Sequence, residues 1–236
     1  MYKEILNFEI RPIFNLSDEI CKEFERIELR CNNWLGGVYV PEYIQSCWKY
    51  HKENANEQNA FAFAGFYKNE MIGFSDGYTM IDGIKLDSLF VDPIYHGFGV
   101  GTKLLQSAEQ SASLIKSDML LMPLDNAIHF YQTHGYDYRR PGFYLGKKLS
   151  KPVSGIIPVF EWCDELNAKL NLEIDTNSLK QYEHQPIFVY VNNNQQIDGI
   201  ATRLSNGKDF IKYNGREKTL AKYRESELSY ALYNAR

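Results

Sequence analysis

The stretch Leu89-Phe90-Val91-Asp92-Pro93-Ile94-Tyr95-His96-Gly97-Phe98-Gly99-Val100-Gly101-Thr102-Lys103-Leu104-Leu105 decides how the chain is read. Upstream of it, Lys85 to Val91 is short, rich in β-forming residues and stopped by Asp92-Pro93. Downstream, Val100, Leu104, Ala108, Ala112 and Ile115 recur at helical spacing. A strand, a glycine turn and a helix therefore follow one another. In that order the backbone N–H groups of the turn and of the first helical turn point outward, without intrahelical partners, at the positive end of the helix dipole. A phosphate fits there. Glycine at 97, 99 and 101 removes the Cβ atoms that would hold a pyrophosphate off the backbone, and it permits positive φ where the turn tightens. A glycine-rich turn that only packs strand against helix is the plainer alternative.

Two familiar phosphate motifs fit poorly. A dinucleotide fingerprint needs its third glycine where Thr102 stands, and a P-loop needs Gly-Lys-Ser/Thr where the chain has Gly101-Thr102-Lys103.

Working outward, Phe8 to Phe14 reads as a first strand. Ser17-Asp18 offers an N-cap to a helix carrying Ile20, Phe24, Ile27 and Cys31, and a second helical stretch runs from Pro41 to about Glu53 with Tyr43, Ile44, Trp48 and Tyr50. Ala60 to Tyr67 and Met71 to Met80 read as strands joined at Lys68-Asn69-Glu70, and Asp82-Gly83 turns into Ile84 to Val91, an antiparallel meander feeding the glycine turn. Met119 to Pro123 is a short buried strand, Asp125 or Asn126 caps the next helix, and Tyr136–Arg139 and Phe143–Lys148, split by Arg140-Pro141-Gly142, are further strands. Ser150-Lys151-Pro152 reads as a boundary between a domain of residues 1–150 and a smaller one of residues 151–236.

In the second part, Val159, Phe160, Cys163, Leu166 and Leu170 suggest a helix. Ile187–Val191, Ile197–Leu204 and Asp209–Tyr213 suggest a three-stranded antiparallel sheet with turns at Asn192-Asn193-Asn194 and Asn206-Gly207, and Arg216 to Glu227 suggests a terminal helix. The order of elements, and the echo of Phe63-Ala-Gly-Phe-Tyr-Lys-Asn-Glu-Met-Ile-Gly-Phe74 in Phe188-Val-Tyr-Val-Asn-Asn-Asn-Gln-Gln-Ile-Asp-Gly199-Ile, suggest a truncated, degenerate partial repeat of the first part. Convergent hairpin chemistry is the alternative. Because only Gly215 follows its last strand, no phosphate cradle is expected there. Its expected role is to pack on the first domain or to make a homodimer contact.

Composition narrows the function classes. Net charge is −4, from 26 basic and 30 acidic residues, so no basic excess exists to attract nucleic acid. Cys21, Cys31, Cys47 and Cys163 form no CxxC pair and the five histidines no HExxH pattern, so no metal site is expected. The N-terminus lacks an apolar signal core, and no run approaches the ~18 apolar residues of a membrane span. A cytoplasmic protein with reduced thiols is the resulting expectation.

His96-Gly97-Phe98-Gly99-Val100-Gly101 resembles the Arg/Gln-x-x-Gly-x-Gly/Ala signature of the GNAT superfamily of acyl-CoA-dependent N-acyltransferases, with His96 where Arg or Gln is usual. A second segment, Asn126-Ala-Ile-His-Phe-Tyr-Gln-Thr-His-Gly-Tyr136, is similar to that family's Ala-Ile-x-Phe-Tyr-x-x-x-Gly-Phe run, and Leu124 stands where the family often has Asn. The resemblance implies an α/β (α+β) fold over about residues 1–149, with a mixed, mostly antiparallel sheet flanked by helices. It implies acetyl-CoA as cofactor and a small-molecule or peptide amine as acceptor, with direct attack in a ternary complex. Phe90, Val91, His96, Gly97, Phe98, Gly99, Val100, Gly101, Thr102 and Asn126 would then hold the cofactor, Phe90 and Val91 through their backbone. Tyr131 falls on the family's frequent catalytic tyrosine, a general acid for the leaving thiolate; an ordinary packing tyrosine is the alternative. Asp87 falls where an acid often stands, but a free carboxylate with a pKa of about 3.9 is a weak base toward amines at about 8 to 10.4. A water relay, or an Asp87–Lys85 pair, is the alternative. The early aromatic helices would wall the acceptor side, with Glu42, Glu53 or Glu57 facing a cationic amine, or would simply be core. A non-catalytic acyl-CoA sensor of the same fold is the competing function, and Tyr131 distinguishes the enzyme from it.

Overall fold

The computed structural model describes residues 6–37, 39–46, 59–80, 83–116, 118–140, 144–160, 162–174, 185–204, 207–214 and 218–235. Trp48, Tyr50, Glu53, Glu57, Cys47, Asp82, the Pro141-Gly142 turn, Asn206 and Gly215 lie outside them. The chain forms two compact units, residues 1–109 with 118–147 and residues 110–117 with 148–236.

The first unit runs β1 (Glu9–Pro12), α1 (Asp18–Trp34), β2 (Asn59–Tyr67), β3 (Glu70–Met80), β4 (Gly83–Val91), α2 (Val100–Ser113), β5 (Asp118–Leu121), α3 (Ile128–Thr133), β6 (Asp137–Arg140) and β7 (Tyr144–Lys148). Residues 110–113, the end of α2, are counted with the second unit. Residues 41–46 are helical. Helix α1 starts because the Ser17 hydroxyl accepts from the Ile20 N–H at 3.3 Å and Asp18 and Glu19 complement the dipole. Its apolar stripe, Cys21, Phe24, Ile27 and Cys31, is buried, and Phe24 stacks on Phe74 of β3 with centroids 4.1 Å apart. The β2–β3 turn puts Lys68 and Asn69 at φ 49° and 65°, the pair of positive angles that suits strand twist.

The seven strands are ordered β1-β2-β3-β4-β5-β7-β6, a mixed, mostly antiparallel sheet. Strands β2, β3 and β4 form the expected meander. Strands β4 and β5 are parallel, and their pairing covers Ile84, Lys85 and Leu86 against Met119, Leu120 and Leu121. The β3–β4 register then steps, with Asp76 opposite Ser88 and Gly77 opposite Leu86. Asp87 is the extra residue of a β-bulge, a local break that re-aims a strand. Beyond it, residues 88–91 have no partner in β5.

The second unit runs β8 (Gly155–Val159), α4 (Asp164–Asn167), β9 (Ile187–Val191), β10 (Ile197–Arg203), β11 (Asp209–Tyr213) and α5 (Lys218–Asn234), with sheet order β11-β10-β9-β8, antiparallel throughout. Three expectations are corrected here. The sheet has four strands rather than three. Val159 belongs to the added strand, and the expected helix through Val159, Phe160, Cys163, Leu166 and Leu170 shrinks to Asp164–Asn167. Period two wins over period 3.6 because Ile157 and Val159 both drop into the core beside Ile187, Val189 and Ile200. Pro158, which removes a ladder donor, is tolerated because β8 is an edge strand. The terminal helix is also longer than Arg216 to Glu227 and buries Leu228 and Leu232.

Candidate active site

Asp92 fixes the end of β4. Its carboxylate is buried, pairs with Arg30 and with Arg26 at 3.7 Å, both from α1, and accepts from the Ile94 N–H to start a single 3-10 turn. Pro93 at the first position of that turn needs no donor there. The chain then makes two left-handed steps, Gly97 at φ 79° and Gly99 at φ 87°, and enters α2. A side chain at either position would be strained. Gly101 is different. Its backbone is ordinary, and an added Cβ would meet Phe130, Val91 and Leu89 at 3.6 to 3.7 Å, at the edge of open space.

That space is a cavity of about 550 Å³. It is lined by the strand end (Leu89, Val91), the turn and first helical residues (Tyr95, His96, Gly97, Gly99, Val100, Gly101, Thr102), the α3 segment (Asn126, Ala127, Phe130, Tyr131) and Trp34 of α1. The cradle, the strand edge without a β5 partner and the tyrosine therefore open on one volume. A phosphate group suits its glycine end, where N–H groups of the helix start and a hydroxyl, Thr102, converge.

Tyr131 is 7% exposed, and its hydroxyl has no hydrogen-bond partner among the described residues. Burial raises its phenol above the ordinary tyrosine range, so the proton stays on through neutral pH. Its ring packs edge-on against Phe130 and Tyr136, with centroids 5.1 and 5.7 Å away. Tyr136, wholly buried, donates to Glu109 at 3.0 Å, and Glu109 is paired with Lys147 at 2.8 Å. Burial, and next the Glu109 carboxylate, push the Tyr136 phenol up as well. Tyr131 is thus braced by a ring that is itself anchored.

His96 Nε2 donates to the Val91 carbonyl at 2.7 Å, and its ring meets the Trp34 ring edge-on at 5.0 Å. The Cys31 thiol also donates to that carbonyl, at 3.1 Å; burial, then Asp92, push Cys31 up to about 12, so it stays a thiol. The loop that follows Trp34 is closed at its base. The buried Asn32 amide donates to the Tyr39 carbonyl at 2.7 Å and accepts from the Tyr39 N–H at 2.8 Å, while Gly36 and Gly37 turn the chain between them.

Not every residue singled out in the sequence reaches the cavity. Phe90 packs into the core against Phe74, at 5.6 Å. Phe98 and Asp87 do not line the space either. The Asp87 carboxylate accepts from Lys85 Nζ at 2.6 Å, which is the neighbour pair posed as an alternative. Burial lowers Lys85, but its interactions with Asp87 and Tyr78 together outweigh that, and the ammonium is held charged. Asn126 lines the cavity without capping the helix, because a 3-10 turn at Asp125–Ala127 begins at Leu124 with no side-chain cap. Sequence reasoning passed over Leu89, Tyr95 and Phe130. Alternation with Val91 would have found Leu89, and Phe130 sits beside Tyr131.

Residues 55–138 match the family of acetyltransferase (GNAT) domains. A GNAT acetyltransferase domain thus lies over residues 55–138. None of the curated proteins matches the chain. Among solved structures, the chain is similar to a GNAT-family acetyltransferase from Staphylococcus aureus Mu50, with 14% identity, 61% of this chain and 100% of that one covered, and a TM-score of 0.53. It is also similar to a putative GNAT-family acetyltransferase from Desulfovibrio desulfuricans, with 13% identity, 61% and 100% covered, and a TM-score of 0.51. PaiA N-acetyltransferase from Thermoplasma acidophilum, solved in complex with coenzyme A, has 23% identity, 60% and 99% covered, and a TM-score of 0.49. For the Staphylococcus and Desulfovibrio proteins, at these identities, the likeness is one of fold. Among the described residues, no group of His, Cys, Asp or Glu is arranged to hold a metal ion, and no helix is long and apolar enough to cross a membrane.

Proposed function

We propose that the chain is an N-acetyltransferase that moves an acetyl group from acetyl-CoA to a primary amine by direct attack in a ternary complex. The observation that carries this is the sharing of one cavity by the glycine cradle, the end of β4 that extends past its β5 partner, and Tyr131. The backbone N–H groups at His96, Gly97, Phe98, Gly99, Val100 and Gly101, with the Thr102 hydroxyl, would hold the pyrophosphate. The backbone of Phe90 and Val91 would accompany the pantetheine arm, and Asn126, Trp34, Leu89 and Phe130 would wall it and exclude water.

Acetyl-CoA supplies an activated acetyl group: the amine nitrogen bonds to its carbonyl carbon as the carbon–sulfur bond breaks, and one proton passes in net from nitrogen to sulfur. Tyr131 Oη holds the proton for the departing sulfur, and burial keeps it there until that charge develops. The proton lost by nitrogen returns through water to Tyr131. Asp87, tied to Lys85 and outside the cavity, would act as base only at the end of such a relay.

The test is to mix the full chain with acetyl-CoA and a panel of amines, covering peptide N-termini, lysine, polyamines, aminoglycosides and amino acids, and to follow free thiol. Amine-dependent thiol release supports the reading. Tight binding of acetyl-CoA with no turnover on any amine class, retained in Tyr131→Phe, would favour the sensor instead.

We also infer that the chain has two domains meeting near residue 150, the second being a partial copy of the first that has no cofactor site. The support is topological. Strands β1 to β4 and β8 to β11 each lie in sequence order, antiparallel, with a helix after the fourth.

A further inference from the structure

Thr102 brings the only side-chain hydroxyl of the first helical turn to the cavity, and that hydroxyl is not free. Its Oγ1 lies 3.2 Å from Nε2 of His134, the residue that ends α3. The other ring nitrogen, Nδ1, lies 2.8 Å from the Phe130 carbonyl and 3.3 Å from the Thr133 hydroxyl, whose own hydrogen is donated to that carbonyl at 2.7 Å. A carbonyl only accepts, so Nδ1 carries a hydrogen. The neutral ring then has a bare Nε2. It can only accept from Thr102, whose single hydrogen turns away from the cavity and leaves lone pairs facing an incoming phosphate oxygen.

A protonated ring reverses this. Nε2–H donates to Thr102 Oγ1, the threonine hydrogen is released toward the phosphate, and a full positive charge stands directly behind it. An anion at the cradle favours the second arrangement. Resting on the acetyl-CoA reading, we propose that His134 is a positioning residue of the pyrophosphate cradle, and that its ring takes up a proton as the pyrophosphate binds. Imidazole is the side chain suited to this near neutral pH.

Other ionisable groups stand on the surrounding elements. Lys103 and Glu109 are on α2, Glu109 being paired with Lys147 of β7. Asp125, His129 and Tyr131 are on the α3 segment, and Tyr136 and Asp137 follow it. His134 stands behind Thr102 rather than at the cavity wall, and His96 is the histidine among the residues that line the cavity. His96 is the competing source of any proton linkage.

The experiment is calorimetric titration of the full chain with dephospho-coenzyme A, which keeps the pyrophosphate but lacks the phosphomonoester that would itself titrate near pH ~6. Titrations at pH 7 in buffers of different ionisation enthalpy count the protons taken up, and a series from pH 6 to 8 follows affinity. The expected result is net uptake of up to about one proton, with affinity falling up to roughly tenfold per pH unit where the free ring is neutral. His134→Gln and Thr102→Val each abolish the uptake and flatten the pH dependence, whereas His96→Gln keeps both even if its affinity falls. Binding without proton uptake, or uptake lost in His96→Gln and kept in His134→Gln, overturns the proposal alone. No binding by the folded wild-type chain overturns the acetyl-CoA reading itself.

Discussion

The two units differ most where they are built most alike. In each, four antiparallel strands lie in chain order and lead into a helix. In each, a glycine of the third strand pairs with the last residue of the fourth, Gly73 with Val91 and Gly199 with Tyr213. Both glycines sit under the helix that follows. An added Cβ would meet Leu104 Cδ1 of α2 at 3.3 Å in one and Leu228 Cδ1 of α5 at 2.9 Å in the other. The connections are not alike. Residues 92–99 separate β4 from α2 and carry two left-handed glycines, whereas residues 214–217 separate β11 from α5. The sheet is a scaffold that either connection can close. In the proposed function the phosphate chemistry belongs to the longer one, next to a β4 whose pairing with β5 stops at Leu86, just before the bulge at Asp87.

The largest effect should come from filling the cradle. Gly101→Val places methyl groups in the cavity without backbone strain, and it should weaken acetyl-CoA binding by about 100-fold or more. That corresponds to losing one or two charge-assisted hydrogen bonds of roughly 1.5–3 kcal/mol each. Calorimetry on a variant with unchanged circular dichroism checks it, and unchanged affinity would erase the contrast between the two connections. A control substitution in the second unit, Lys212→Ala near the end of β11, should leave affinity within about twofold.

Next in size, Tyr131→Phe should keep acetyl-CoA affinity and lower kcat by roughly 10- to 10³-fold, within or below the range of a positioned general acid. Because burial raises this phenol, it does not ionise across the working range, and the variant's pH–rate profile should keep the wild-type shape. Single-turnover rates measured from pH 6 to 9 would show this. An unchanged chemical step would return Tyr131 to packing.

How much of this was legible in the letters depended on whether local rules were allowed to operate. The meander, the glycine turn and strands β9 to β11 follow from alternation and turn residues, and appear within a residue or two of where those rules put them. Strand β8 was hidden because Gly155 and Pro158 disguise a short edge strand, and its apolar residues also fit a helical stripe. The bulge at Asp87 has no sequence signature, and of the readings left open for that residue the pair with Lys85 is the one the geometry displays. Trp34 was visible only as one of many aromatics. Its place at the cavity is marked by the edge-on contact with the His96 ring, a meeting of distant residues that no periodicity encodes.

A smaller effect is expected from Asp92→Ala. It removes the carboxylate that ties the end of β4 to Arg26 and Arg30, and Arg30 is half exposed, so the cost should be below that of a fully buried pair, about 1–3 kcal/mol of unfolding free energy. Because the glycine turn starts there, acetyl-CoA affinity should also fall, by less than about tenfold. Urea denaturation and calorimetry on the same samples check both. A stability loss with no change in affinity would mean that the cradle does not depend on that anchor.

The contrast between the two connections is tested most directly by titrating the full chain with acetyl-CoA and reading the stoichiometry. One molecule per chain, lost in Gly101→Val, is the predicted result. Two per chain would show that the second unit kept a cofactor site, and none in a folded protein would contradict the reading of residues 96–102 as a pyrophosphate cradle.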